Sequence, residues 1–453
     1  MRQKMWCDFR LAAASAAVLC VQFWDATAFA QNSRPILRPD RDVTAVVQPV
    51  QLAGFVAGAK LRPQMRPMNV STSPTTEQTA GDVGFQRWIR NFRSRALAQG
   101  ISPDTFDRAF QGVRYDADVI KRDSNQSEFS KPIWQYLDSA ASDTRVSNGR
   151  AALRGNAAVL EAIESRYGVE KEVVVAIWGL ESAYGSYKGS NDVVRSLATL
   201  SYDGRRGPFF ESQLVAALKI LQNGDTAPRD MTGSWAGAMG HTQFIPTSYL
   251  EYAVDFTGDG KRNIWSEDPT DALASTAAYL AQFGWVKGQP WGVEVTLPRE
   301  FNYALADRKV TKSPAEWARL GVVGVNGAAV PNFGAASVLL PAGSEGVAFM
   351  IFKNFSVIER YNAADAYVIG VGHLSDRIAG GAGFKAAWPR DDRALTRAER
   401  EEMQRRLTAK GFSTYGVDGK VGPKTIQAVR SYQLAEGLTP DGYASLNLLK
   451  RLR

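Results

Sequence analysis

The chain has 453 residues, 45% hydrophobic and 22% charged, with a formal net charge of +8 and a pI of about 9.3. This is ordinary globular material with room for two or three domains, and its basic balance suits an anionic polymer outside the cytoplasm. No basic, aromatic-rich motif accompanies the charge, so nucleic acid is not the expected partner. Both cysteines, Cys7 and Cys20, lie in the first 30 residues, and the only histidines are His241 and His373. Downstream of residue 30 this excludes disulfides, a zinc–thiolate site and a cysteine nucleophile, and it leaves little for a histidine metal cluster.

In chain order, Arg2, Lys4 and Arg10 precede the apolar "LAAASAAVLCVQFW", and "AFA" at Ala28 to Ala30 supplies an A-x-A site. The pattern is that of a secretory signal peptide, residues 1–30, cut after Ala30. A membrane anchor is the alternative, against which the apolar run is short. Lipid attachment at Cys20 would need a small residue where Leu19 stands. Residues 31–82 are rich in Pro, Gln, Ser, Thr and Gly and read as a flexible linker. Order is expected from "GFQRWIRNFRSRALAQG", an amphipathic helix ending at Gly100, followed by a helix with Ser102 as N-cap and Pro103 in its first turn. Helical patterns continue to about residue 285.

Within them, "VVVAIWGLESAYG" (residues 173–185) is an apolar helix that ends on Glu181. Such a helix is buried, so this carboxylate meets low dielectric and the negative end of the helix dipole. Both disfavour its ionised form, as a general acid at neutral pH requires. A buried acid paired with Arg or Lys is the alternative. Next, "GSWAGAMGHTQFIPTSY" offers glycines for close backbone approach, Ser234, Gln243 and Tyr249 as polar groups, and rings that stack on sugars; a glycine-rich turn between helices would look the same. In "DFTGDGKRNIWSEDPTD", Asp255, Thr257 and Asp259 take positions one, three and five of a calcium loop, with Gly260 at six and the Lys261 carbonyl at seven. Position twelve is Ser266, so a closing carboxylate would come from Asp268 or Asp271, and a plain Asp-Gly turn remains the alternative.

From Trp291 the short runs "WGVEVTL", "ASVLLP" and "VAFMIF" predict a small β insert, after which "AADAYVIGVGHLSDRI" returns to helix. A charged connector leads to a tail, residues 394–453, with three helical patterns. "GAGFKA" at Gly381 fits a dinucleotide fingerprint only superficially, because no strand precedes it.

Taken together, "YGVEKEVVVAIWGLESAYGSYKG", "SLATLSYDGRRGPFF", "GSWAGAMGHTQFIPTSYLEYAVDFTGDGKRNIW", "DALASTAAYLAQFGW" and "IERYNAADAYVIGVGHLSDRI" resemble the B-type lytic murein transglycosylases, in that family's order. The tail, with "GVDGKVGPKTIQAVRSYQ", resembles a small peptidoglycan-binding module. The resemblance implies an α+β fold: a mainly helical, lysozyme-like catalytic domain with a small β insert over residues 83–388, and a C-terminal three-helix peptidoglycan-binding domain over 394–453. It implies a periplasmic enzyme that cleaves the β-1,4 bond between N-acetylmuramic acid and N-acetylglucosamine and leaves 1,6-anhydromuramic acid ends. Its partner is the peptidoglycan glycan strand. A hydrolytic muramidase and a non-catalytic wall-binding protein are the rival readings. Glu181 falls on the family's single acid/base, while Ser234, Gln243, Tyr279, Tyr361, Asn362 and, in a looser match, Tyr136 fall on sugar-binding positions. No cofactor is implied for the chemistry; a structural calcium ion falls on Asp255, Thr257, Asp259, Lys261 and Asp271. His241, where the family often has an aromatic, carries no implied role.

Overall fold

The structure, a computed structural model, describes residues 76–124 and 131–453. The expected signal peptide and nearly all of the expected linker lie outside the described residues. The first helix, α1 (Thr76–Ala98), begins ahead of Gly84, where the sequence pattern placed the onset of order. It is followed by α2 (Pro103–Ala109), α3 (Ala117–Ser124), α4 (Ile133–Ala140), α5 (Asp143–Gly155), α6 (Ala157–Tyr167) and α7 (Lys171–Ser182). A two-residue strand, β1 (Asn191–Asp192), leads into α8 (Val193–Asp203) and α9 (Gly207–Asn223); β2 (Thr232–Gly233), α10 (Pro246–Tyr252) and α11 (Thr270–Gln282) complete the helical body. The insert contains β3 (Gly292–Thr296), α12 (Pro314–Arg319), β4 (Val323–Gly324), β5 (Ser337–Leu339) and β6 (Ala348–Ile351). Then come α13 (Lys353–Tyr361), α14 (Asp365–Ile378) and the tail helices α15 (Arg397–Ala409), α16 (Pro423–Ala435) and α17 (Leu446–Leu452).

The main core is organised around α7. Val173 to Gly179 are all buried, so the helix has no solvent face and packs against α14, α5, α11 and α6. Its start is fixed from a distance: Glu170, just ahead of the helix, accepts from the Trp285 indole and the Gly288 amide, both at 2.5 Å. Ile177 is fully buried, and Ile177→Ala would cost about 2–5 kcal/mol and leave a cavity beneath the helix end.

The insert is an antiparallel sheet in the order β4-β3-β6-β5, with Gly292 opposite Ile351 and Val295 opposite Gly324. The run "VAFMIF" is apolar throughout because β6 is covered on both faces. Val347, Phe349 and Ile351 enter the main core, whereas Ala348, Met350 and Phe352 enter a second core around Trp317 and Val338. The sequence pattern did not anticipate α12 and β4, and helix resumes at Lys353, ten residues earlier than expected. The tail has its own core of Met403, Leu407, Val429, Tyr432 and Leu449. Among the described residues, no helix is long and apolar enough to cross a membrane.

Candidate active site

Glu181 occupies the last turn of α7, half-buried like Leu180 before it, while Ser182 after it is buried. The helix stops abruptly one residue later. Ala183 (φ 49) and Tyr184 (φ 59) are both left-handed, and Gly185 (φ 87) follows. A non-glycine residue in that region costs on the order of 1 kcal/mol, so two in succession persist only if the surroundings enforce them. The Tyr184 ring does so. Its hydroxyl donates to the Arg145 carbonyl at 2.7 Å, and the ring lies against two glycines, Gly149 of α5 and Gly179 of α7. A Cβ at either glycine would come within 2.6 Å of a Tyr184 atom. Arg145 donates through Nε to the Ser139 carbonyl and through Nη1 to the Gly179 carbonyl. A cation thus joins the Ala183 amide on a carbonyl of the last helical turn, where the dipole favours it. The sequence pattern put only the negative dipole end there; the structure adds this guanidinium.

Two tyrosines face the acid. The Tyr367 hydroxyl, from α14, donates to Glu181 Oε1 at 2.8 Å. Tyr136, from α4, lies close enough for burial first and the Glu181 charge second to hold its hydroxyl above the usual tyrosine range, with Arg145 opposing. Tyr367 escaped the sequence reading because it stands as one aromatic in an apolar helix, 186 residues from its partner.

The other expected substrate residues gather around the loop from Gly233 to Tyr249. Ser234 is buried, and its Oγ accepts from the amides of Ala236 (3.3 Å) and Ala238 (3.0 Å). Gln243 is buried in a left-handed conformation and donates to the carbonyls of Gly240 (2.8 Å) and Lys188 (3.0 Å). Tyr361 donates to the Thr242 carbonyl and Tyr279 to the Arg360 carbonyl, each at 2.6 Å. Their ring centroids lie 5.2 Å apart, and both contact Phe244. Asn362 joins α13 to α14, accepting from the Ala364 amide at 3.1 Å. Tyr249, by contrast, turns inward beneath the loop, with its hydroxyl on the Arg262 carbonyl.

His241 ties this loop to α7. The Trp178 indole donates to its Nδ1 at 3.2 Å, its Nε2 meets the Ser266 carbonyl at 2.7 Å, and Ser182 Oγ donates to its backbone carbonyl at 2.5 Å. With an indole N–H on one nitrogen and a carbonyl on the other, the ring is the neutral Nε2–H tautomer. Burial agrees, pushing its pKa down.

Asp203, in "SYDGRRG", is the acid of the quoted motifs nearest in sequence that could serve as a second carboxylate, with Arg205 and Arg206 beside it as possible partners. Both arginines instead pair with buried Asp123, and Asp203 ends α8 exposed, near Tyr115. In the calcium-type loop, Asp255, Asp259 and Asp271 bring carboxylate oxygens within 4.8 Å of one another. Oxygens about 2.4 Å from one calcium ion span at most about that distance, and an all-oxygen set suits a hard cation. Of the two acids that follow the loop, Asp271 is the one placed to close it. Asp268 is engaged elsewhere, accepting from the Thr270 amide and hydroxyl. Asp255, Thr257, Asp259, the Lys261 carbonyl and Asp271 would hold the ion. The same loop returns through Ile264 and Ser266, whose carbonyls accept from the His241 amide and ring.

A single acid at the end of a buried helix, flanked by tyrosines and a glycine-rich polar loop, defines a sugar-cleaving site on a mainly helical fold. Residues 84–376 match the family model described as the transglycosylase SLT domain, and residues 396–452 match a peptidoglycan binding domain. The chain belongs to the transglycosylase SLT family. It is 36% identical over 220 residues to membrane-bound lytic murein transglycosylase B of Escherichia coli (strain K12), a match covering 47% of this chain and 58% of that relative. SltB3 of Pseudomonas aeruginosa, solved with NAG-anhNAM-pentapeptide, is 50% identical with a TM-score of 0.80, covering 82% of this chain and 99% of SltB3. Slt35 of E. coli, solved with calcium, is 29% identical with a TM-score of 0.55, covering 66% of this chain and 94% of Slt35.

Proposed function

We propose that the protein is a lytic transglycosylase that cleaves the β-1,4 bond between N-acetylmuramic acid and N-acetylglucosamine in peptidoglycan without consuming water. The observation that carries this is the Tyr367–Glu181 hydrogen bond at the end of α7. By donating to Oε1, Tyr367 fixes the orientation of the carboxyl group. Protonated Glu181 donates to the leaving O4 as the C1–O4 bond breaks, and the sugar's own N-acetyl group stabilises the oxocarbenium-like charge. The carboxylate then accepts the proton of the same sugar's O6 as O6 closes onto C1. Acid and base are one residue, and the nucleophile is intramolecular, which gives it high effective molarity over water. Retaining glycosidases place a second carboxylate about 5 Å from the acid; the acid weighed for that part, Asp203, lies near Tyr115 instead.

Ser234, Gln243, Tyr279, Tyr361, Asn362 and Tyr136 form the sugar-binding surface in this reading, and their inward hydrogen bonds hold the loop in a preorganised shape. Residues 83–388 are the catalytic domain and residues 394–453 a module that binds the wall and raises local substrate concentration. The protein works in the periplasm after removal of residues 1–30, and calcium serves as a structural ion. SltB3, half identical and crystallised with an anhydromuramyl fragment, supports the non-hydrolytic outcome. Mass spectrometry of muropeptides released from purified peptidoglycan tests it. Products ending in 1,6-anhydromuramic acid are expected; reducing muramic acid ends would make the enzyme a hydrolase, and no release would leave a binding protein.

A further inference from the structure

Among the described residues, eight large apolar side chains are exposed, and three of them crowd into one seven-residue stretch of the tail: Tyr415 (77% exposed), Val417 and Val421. The stretch is held rigidly. Buried Gln404 of α15 donates to Asp418 Oδ1 (2.9 Å) and the Lys420 carbonyl (3.0 Å), and it accepts from the amides of Asp418 and Gly419. Thr414 Oγ1 donates to the Gly416 carbonyl, and the Tyr415 amide donates to Ser413 Oγ. Tyr415 itself is left-handed (φ 57), a conformation whose cost buys nothing for the core, because the ring points to solvent. The Lys424 ammonium lies 5.0 Å from the ring centroid, and Lys420 is exposed in the same turn.

The tail contains this device twice. Gln433 of α16 holds a second Asp-Gly turn in the same way, donating to Asp441 Oδ1 (2.7 Å) and accepting from the Gly442 amide (2.8 Å). That second turn is already docked. Asp441 Oδ2 accepts from the Ser344 amide and hydroxyl, both at 2.9 Å, and Arg430 donates to the Ala306 carbonyl. One Asp-Gly turn therefore fastens the module to the β insert, while the other presents an aromatic ring, two valines and two lysines to solvent.

We infer that the Tyr415–Val417–Val421 surface, flanked by Lys420 and Lys424, is the face through which the tail grips peptidoglycan; this rests on the tail being a wall-binding module. The chemistry is complementary. An exposed ring stacks on a pyranose face, the valines pack on N-acetyl and lactyl methyl groups, and the two ammonium groups pair with stem-peptide carboxylates. Rigidity matters because little ordering entropy is then lost on binding.

The test uses the whole chain carrying Glu181→Gln, so that walls bind without being cut. Tyr415→Asn removes the ring but tolerates the left-handed backbone, and Val421→Ser is a second, milder variant. Each should weaken co-sedimentation with purified walls, Tyr415→Asn by about three- to tenfold. Lys424→Glu should weaken it most at low salt. Hydrogen exchange with soluble peptidoglycan fragments should protect residues 413–424. Protection elsewhere in 394–453, with Tyr415→Asn binding as the parent does, would place the binding face elsewhere on a module that still binds walls. Protection nowhere in 394–453 would remove the wall-binding reading and this surface with it. Self-association of the parent that Tyr415→Asn abolishes would assign the patch to a second copy of the chain and overturn the proposal.

Discussion

The Trp178 indole and the His241 imidazole share a hydrogen bond of 3.2 Å that links the middle of the catalytic helix to the loop expected to bind sugar. Three residues beyond Trp178 stands Glu181, and Ser182 grips the His241 carbonyl. The acid is thus positioned from the loop side as well as from Arg145 and Tyr184.

Replacing the acid tests the mechanism directly. Glu181→Gln keeps the shape but removes the titrating proton, so turnover should fall at least about 10²-fold while glycan binding persists. Tyr367→Phe removes one donor to a charged group, a loss of about 1.5–3 kcal/mol, and should lower kcat roughly ten- to 100-fold with little change in KM. Steady-state kinetics on soluble glycan chains separate the two parameters. A Gln variant with near-parental kcat would show that Glu181 is not the acid.

Acid should loosen the structure through both histidines. Burial depresses the pKa of His241, with Lys188 adding to the effect and the Ser266 carbonyl, Glu267 and Asp268 opposing it. His373, stacked on Phe384 at 3.9 Å, is lowered to about 4 by burial and then by Arg377. Each binds protons more readily when unfolded. Their stabilising contribution is therefore complete above about pH 6.5 and declines as pH falls toward the folded-state values. Asp376, pushed up to about 6 by burial, gains stability in the same window and opposes them. The histidine effect is therefore read as a difference: the denaturant midpoint at pH 4, relative to pH 7, should be higher in His373→Phe than in the parent. His241→Phe leaves the Trp178 indole and the Ser266 carbonyl without this partner, at a cost of about 1–3 kcal/mol each for a buried group. It should lower kcat more than it raises KM.

Calcium should stabilise the fold without entering the chemistry. Three carboxylates held within 4.8 Å repel until a cation joins them, and without a terminal Glu the affinity should lie on the order of 10⁻⁴ M. At ten times that concentration the gain is about 1.4 kcal/mol, readable as a rise in Tm. Asp259→Ala should abolish the rise, and an equal response in that variant would put the ion somewhere else.

N-terminal sequencing of the exported protein should begin at Gln31, following the A-x-A site at Ala28 to Ala30. A retained Met1 or an acylated Cys20 would refute this.

Much of this architecture was legible in the chain because local pattern dictates it. The apolar run before Glu181 reads as a buried helix, and the Asp-x-Thr-x-Asp-Gly spacing matches the first half of a calcium loop while leaving a plain Asp-Gly turn open. What escaped depends on the packing of distant segments. Nothing near Tyr367 signals that its hydroxyl meets an acid 186 residues away. Spacing alone did not separate Asp268 from Asp271, since both follow the loop; only the start of α11 turns Asp271 inward. Asp123 drew both arginines from Asp203 because it is buried, a property its polar surroundings conceal. The strand β4 and the helix α12 escaped because each is shorter than the window over which periodicity can be read.

The Tyr184 ring against Gly179 couples two positions on either side of the acid. Ala at 179 places a methyl about 2.6 Å from ring carbons as well as from the hydroxyl, so the ring must leave, and the turn that follows Glu181 goes with it. Tyr184→Phe relieves little there for the same reason. A small aliphatic residue at 184 would make room and so tolerate alanine at 179, whereas a Cβ at 149 would still meet Ile378 at 2.5 Å. In a library randomised at 179 and 184, survivors should fall into two sets, Gly-Tyr and Ala-small, with few mixtures between them, while 149 stays glycine: the end of the helix is inherited as a unit.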